Sequence, residues 1–214
     1  MDDCLVIALF RHGITEENKR HAYIGWTDVP LAPEAGGLLT PSGKVPGPYG
    51  ALFSSDLRRC LETAQLLFPA IAAHPIRELR ELHFGSWEGA VYEELKHDDA
   101  YRRWLDDPFS LKPPGGESFN EFTGRLDRAW ETIVGSALEN NGRSAAVVTH
   151  GGPIRYFLSK YAPAKKPFWE WRVDPGSGIE LVWSAGGQRG EERCTLLREV
   201  PLMERPSGCG TTTI

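Results

Sequence analysis

The feature that most constrains this chain is the apolar run Cys4 to Phe10, CLVIALF, which stops abruptly at Arg11-His12-Gly13. A strand with one face in water alternates apolar and polar residues. A run without alternation needs apolar partners on both faces, as in a parallel sheet covered by helices. Two more runs repeat the pattern. Ala51-Leu52-Phe53 ends at Ser54-Ser55, and Ala145 to Val148 ends at Thr149-His150-Gly151-Gly152. Ile179 to Trp183 and Cys194 to Val200 follow, joined by a Gly-rich turn, and read as a hairpin.

Helical periods lie between the strands. Leu57, Cys60, Leu61 and Ala64 form one apolar stripe, with Ser55 or Asp56 as its expected cap. Phe119, Phe122, Leu126, Ala129, Trp130, Ile133 and Ala137 form a longer one, opened by a capping box of Ser118 with Glu121. Ile154, Phe157, Leu158 and Tyr161 form a third, with Pro153 in its first turn. Strands alternating with helices predict an α/β fold, a three-layer α/β/α sandwich around a mostly parallel central sheet. The segment from Ala32 to Gly50 holds four prolines and five glycines, which excludes a long helix. Lys96 to Pro108 is charge-rich and reads as a solvated helical excursion. One domain over residues 1–204 is expected, with 205–214 a flexible tail.

Composition narrows the function classes. Of 214 residues, 41% are hydrophobic and 25% charged, so the chain is globular rather than disordered. A net charge of −5 argues against general nucleic-acid binding. No apolar run approaches a membrane span, and the acidic start Met1-Asp2-Asp3-Cys4 lacks the basic region of a signal peptide, so a cytoplasmic protein is expected. Cys4, Cys60, Cys194 and Cys209 show no C-x-x-C spacing and read as free thiols. Gly37 to Val45 has the wrong spacing for a P-loop.

The polar residues collect where strands end. Ligands of open α/β sheets bind beyond the carboxyl ends of the strands, and parallel pairing would bring His12, His150, Arg11 and the arginines after Ser54-Ser55 together there. Two histidines, two or three arginines and helix N-termini suit a dianionic phosphate. Arg58 and Arg59 are adjacent, so they point to different helix faces; Arg59 is placed in the site and Arg58 in solvent.

Five blocks carry a family resemblance. Residues 11–18 fit R-H-G-x-T-x-x-N, and 25–31 resemble G-x-x-D-x-P-L. Residues 54–64 resemble S-S-x-L-x-R-A-x-x-T-A, 81–89 resemble E-x-x-F-G-x-W-E-G, and 149–152 match the second histidine motif. In this order they resemble the histidine phosphatase superfamily, the phosphoglycerate mutase-like enzymes. The resemblance implies phosphomonoester hydrolysis through a phosphohistidine, with no metal or organic cofactor. It implies His12 as nucleophile, Arg11, Arg59 and His150 as phosphate clamp, and Glu81 as proton donor. Gly13, Thr15, Ile24 and Gly25 should line the substrate side, assisted by Asn18 and Gly151. The implied partner is a small phosphate ester, and the chain a monomer or homodimer without nucleic-acid or membrane partners.

The chemistry agrees with these roles. An imidazole attacks only through an unprotonated nitrogen, so His12 needs an acceptor on its other nitrogen. Phosphoryl transfer needs alignment and positive donors, and the leaving oxygen needs a proton. The compact stretch after the acid motif and the segment Pro113-Pro114-Gly115-Gly116-Glu117-Ser118 resemble α-ribazole phosphatases and related broad-specificity phosphatases. A mutase or a sugar- or glycerate-phosphate phosphatase is the alternative. A non-catalytic phospho-ligand-binding module is a third reading, disfavoured because a binder needs no proton donor. Tyr23, Trp26 and Phe84 are the expected apolar shelf for a nucleoside-like leaving group.

Overall fold

The computed structural model describes residues 4–39, 47–139, 143–184, 190 and 192–200. The expected tail at 205–214 and Cys209 lie outside them. Among the described residues one sheet runs in the order β3-β2-β4-β1-β5-β6. Its strands are β1 Leu5–Arg11, β2 Ala51–Ser54, β3 His74–Pro75, β4 Ser144–Thr149, β5 Gly178–Trp183 and β6 Leu196–Val200. β1, β4, β2 and β3 pair in parallel. β5 runs antiparallel to both β1 and β6, the hairpin that the sequence suggests.

The unbroken apolar run of β1 is explained by its two covered faces. Leu5, Ile7 and Leu9 pack with Phe122, Leu126, Trp130 and Ile133 of α6 (Phe119–Glu139) and with Ile154, Phe157 and Leu158 of α7 (Gly151–Tyr161). Ala8 and Phe10 pack on the other face with Cys60, Ala64 and Leu67 of α3 (Arg58–Leu67). These are the three layers. α6 opens with the expected capping box, Glu121 N donating to Ser118 Oγ and Ser118 N to the Glu121 carboxylate. The Pro/Gly-rich segment forms only the short α2, Ala35–Leu39, before residues 40–46, which are not described; α1 is the single turn Glu16–Lys19.

Two expectations are corrected. The stretch Lys96 to Pro108, which holds α5 (Asp99–Asp106) after the single turn α4 (Tyr92–Leu95), is more than a solvated excursion. Trp87, Leu95, Tyr101 and Trp104 form a separate buried cluster, to which α5 contributes Tyr101 and Trp104, three apart and on one face. α3 is not capped by Ser55 or Asp56. Ser55 Oγ is taken by His150, and Asp56 pairs with Arg80. The cap comes from across the chain, where Asp28 Oδ1 accepts the Arg58 amide at 2.7 Å. The aspartate of the G-x-x-D-x-P-L block therefore completes a helix thirty residues on. Asp28→Ala should cost about 1 kcal/mol, a typical capping loss, while Asp28→Asn should lose much less. Urea denaturation of both variants checks this, and equal losses would mean the cap contributes little.

Candidate active site

The register of β1 and β4 builds the site. Arg11 lies beside Thr149, and Ser54 of β2 beside Val148. The next residues, His12, His150 and Ser55, therefore leave one edge of the sheet together. The rings of His12 and His150 stand edge to face, 5.1 Å apart. Both histidines are buried.

His12 Nδ1–H donates to the Gly13 carbonyl at 2.7 Å. That tautomer leaves Nε2 unprotonated. Burial, then the charges of Arg59 and Arg11, hold the imidazole well below its usual pKa, so it is neutral. His150 is lowered in the same way, first by burial and then by Arg59. Arg59 Nε donates to His150 Nδ1 at 3.3 Å, so the proton of neutral His150 sits on Nε2, 2.9 Å from Ser55 Oγ. Both His150 nitrogens are thus engaged with protein groups. Cys60 Sγ lies 3.5 Å from His150 Nε2, and burial pushes its thiol up to about 12, which keeps it uncharged.

The arginines are anchored by carbonyls. Arg59, 1% exposed, donates to Thr27 O at 2.9 Å and Gly25 O at 2.7 Å. Arg11 Nη1 donates to Val173 O at 2.6 Å, while its Nε is buried without a hydrogen-bond partner among the described residues. A buried orphan donor is costly, and one beside His12 fits an anion that arrives with the ligand. Arg58 sits in solvent and pairs with Glu62, as its helix position implies.

Glu81 is held from α7. Its Oε2 accepts the Gly152 amide at 2.9 Å and its Oε1 the Leu82 amide at 3.0 Å. A Cβ on residue 152 would overlap the carboxylate, so the second glycine of the T-H-G-G block is what lets Glu81 reach the helix terminus. Gly151 packs against the Arg11 guanidinium. Thr15 and Asn18 form a reciprocal cap at α1, and Gly13 N donates to Thr63 Oγ1. Ile24 is half-buried ahead of Gly25.

A cavity of about 480 Å³ opens beside Glu81 and Gly152, walled by Tyr23, Phe84, Trp104, Phe122 and Phe168. Tyr23 and Phe84 are where the sequence places a shelf; Trp26 is not. Its ring stacks on His83 at 4.6 Å beneath Arg77 and Arg80, and its Nε1 donates to the Glu81 carbonyl. Cation–π attraction draws it away from the cavity. Sequence reasoning misses Arg155, which lines the cavity one turn into α7 and is tied to Trp171 O. Its place one helical turn beyond Gly151 is the available signal. The sequence marks Ser55 only as a helix cap. Among the described residues no group of three or more His, Cys, Asp or Glu could hold a metal ion, and no helix is long and apolar enough to cross a membrane.

Comparison with known proteins places this geometry in a wider set. A family model described as histidine phosphatase superfamily (branch 1) matches residues 7–194. The bifunctional protein Rv2228c of Mycobacterium tuberculosis is 33% identical over 187 residues, 81% of this chain but 45% of that protein. The chain thus spans less than half the length of this relative. The adenosylcobalamin/alpha-ribazole phosphatase of Salmonella typhimurium is 29% identical over 185 residues, 83% of this chain and 87% of that protein. The crystal structure of a phosphoglycerate mutase from Thermus thermophilus superposes with a TM-score of 0.66 at 31% identity, covering 92% of this chain and all of that one.

Buried neutral histidines make stability pH-dependent. Their folded pKa values lie below the unfolded value of about 6.5, so below that pH the unfolded chain binds protons that the folded chain refuses. Stability should therefore be intact above about pH 6.5 and fall below it, by up to about 1.4 kcal/mol per pH unit for each histidine. Urea midpoints between about pH 7.5 and 5 measure the slope, and His12→Asn should reduce it by about one proton. An unchanged slope in that variant would mean that folded His12 is charged.

Proposed function

Because the chain belongs to the histidine phosphatase superfamily, we propose that it is a phosphomonoesterase working through phosphohistidine on His12, within one domain. The observation that carries this reading is the 2.7 Å bond from His12 Nδ1 to Gly13 O, which aims the free Nε2 into a buried, positive site. Nε2 attacks phosphorus, the P–N bond forms, and the P–O bond to the leaving group breaks. Arg11, through its orphaned Nε, and Arg59 stabilise the equatorial oxygens. His150 joins the clamp by exchanging Ser55 for a phosphoryl oxygen at Nε2. Glu81 gives its proton to the leaving oxygen. It then takes one from the water that attacks the phosphohistidine, so that phosphate leaves and both residues are restored.

The cavity supports a ring-bearing leaving group. It adjoins Glu81, where the leaving oxygen must be, and its volume lies in the range of small-molecule sites rather than of a glycerate alone. Its aromatic walls suit a base-like ring. With the similarity to an alpha-ribazole phosphatase, this favours α-ribazole 5′-phosphate as substrate over phosphoglycerate or sugar phosphates.

Rapid quench with labelled substrate should trap acid-labile, base-stable phosphate on His12, and His12→Ala should abolish both label and turnover; full activity in that variant removes the assignment. kcat/KM for α-ribazole 5′-phosphate should exceed that for 3-phosphoglycerate by at least about tenfold, roughly 1.4 kcal/mol of transition-state binding. A smaller ratio drops the substrate while leaving the reaction class.

A further inference from the structure

Arg125 breaks the apolar face of α6. It falls between Phe122 and Leu126, on the stripe that faces the sheet, and it is buried. A guanidinium has five N–H donors, and this one makes five hydrogen bonds. Nε donates to Glu117 Oε2 at 3.0 Å and Nη2 to Glu117 Oε1 at 2.5 Å. Nη1 donates to the carbonyls of Glu78 and Arg80, both at 2.6 Å, and Nη2 to the carbonyl of Glu81 at 2.7 Å.

Glu117 grips the same stretch further on. Its Oε1 accepts the His83 amide at 2.9 Å, and its own amide donates to the His83 carbonyl at 3.1 Å. Pro114 O accepts the Ser86 amide. This approach depends on glycines, since a Cβ on Gly116 would overlap the His83 carbonyl and one on Gly85 the Pro114 carbonyl.

Glu81 itself lies outside every helix and strand, between the single turns Arg77–Leu79 and Gly85–Trp87. No ladder of backbone bonds fixes its position. Side chains bond this backbone instead: Arg125 of α6, Glu117 of the 113–118 turn, and the Trp26 indole, which shares the Glu81 carbonyl with Arg125.

We propose that Arg125 and Glu117 are positioning residues for the proton donor. They act through the backbone of residues 78–83 and touch none of the reacting atoms. Segment Pro113 to Ser118, which the sequence offers as a mark of substrate class, is then part of the acid-delivery apparatus. A buried ion pair is weak evidence for stability by itself, because well-packed apolar residues can replace it at little cost. Committing three of five bonds to the loop that carries the acid is what assigns it a positioning role. The inference rests on Glu81 being the proton donor.

The test uses Glu117→Gln, Arg125→Lys and Gly116→Ala in the full chain, with an aryl and alkyl phosphate series of graded leaving-group pKa. Misplacing a catalytic group by about an ångström costs up to about a hundredfold, so kcat/KM for phenyl and alkyl phosphates, which ends at phosphoryl transfer to His12 and excludes the later hydrolysis, should fall about ten- to hundredfold. Nitrophenyl phosphate, whose leaving group needs no proton, should lose less than about threefold in kcat/KM. Inhibition by inorganic phosphate should stay within about twofold, which also certifies that each variant is folded. In a Glu81→Gln background the second substitution should add less than about twofold, because groups acting through one residue are not additive. Equal losses across the series, or full additivity with Glu81→Gln, overturn the inference. If Glu81→Gln alone slows every substrate equally, the proton-donor reading fails first and takes this inference with it. If Glu81→Gln is selective and the three variants are not, only this inference fails.

Discussion

The rest of the site depends on the parallel pairing of β1 with β4. Arg11 opposite Thr149 fixes which residues leave the sheet together and which side chains share each face. A slip of one residue would turn Leu5, Ile7 and Leu9 from α6 and α7 toward α3, exchanging two cores of different volume. The register is therefore set by apolar packing well away from the chemistry. The edge-to-face contact of His12 and His150 is its consequence rather than its cause.

Charge in the site is managed by choice of partner. Arg11, Arg59 and Arg155 each donate to backbone carbonyls, of Val173, of Thr27 and Gly25, and of Trp171. A carbonyl satisfies an N–H without cancelling the positive charge. Arg80 and Arg125 are treated differently: Asp56 and Glu117 neutralise them. The contrast separates guanidinium groups that hold the fold from those whose field is left for an anion. Burial strengthens that field and holds both histidines neutral, as the proposed nucleophile His12 requires. One arrangement thus explains the orphaned Arg11 Nε and the low histidine pKa values together.

The strands, the helical stripes and the meeting of the two histidines are legible in the sequence because each follows from local periodicity. Cys4 to Phe10 announces a doubly covered strand, and Phe119 to Ala137 announces α6. What stays hidden is mostly long-range exchange of polar partners. Nothing near Ser55 says that its hydroxyl serves His150, and nothing near Asp28 says that it caps a helix thirty residues later. β3 has two residues, too few for any period to register. Adjacency to the motifs puts Trp26 on the shelf, but the arginines that draw it away come from positions 77 and 80. Arg125 carries a readable signal, a charge on an apolar stripe, that periodicity alone would flag as an error.

Glu81 gathers these threads because, as the proposed proton donor, it would have to meet two requirements that conflict. A proton donor has to stand beside the leaving group, at the mouth of a cavity that must admit substrates. It also has to be placed to a fraction of an ångström. A strand or helix would give the precision and close the mouth; an unsupported loop would leave the mouth open and lose the precision. The chain keeps the irregular backbone and supplies its order from outside, through Arg125 on a 21-residue helix and the Gly152 amide at the start of α7. Both helices pack on the same face of the sheet, in the core that also buries Leu5, Ile7 and Leu9 of β1. In the proposed reaction the acid Glu81 and the nucleophile His12 are therefore both referenced to this one packed core, which sets their separation rather than the loop that carries Glu81.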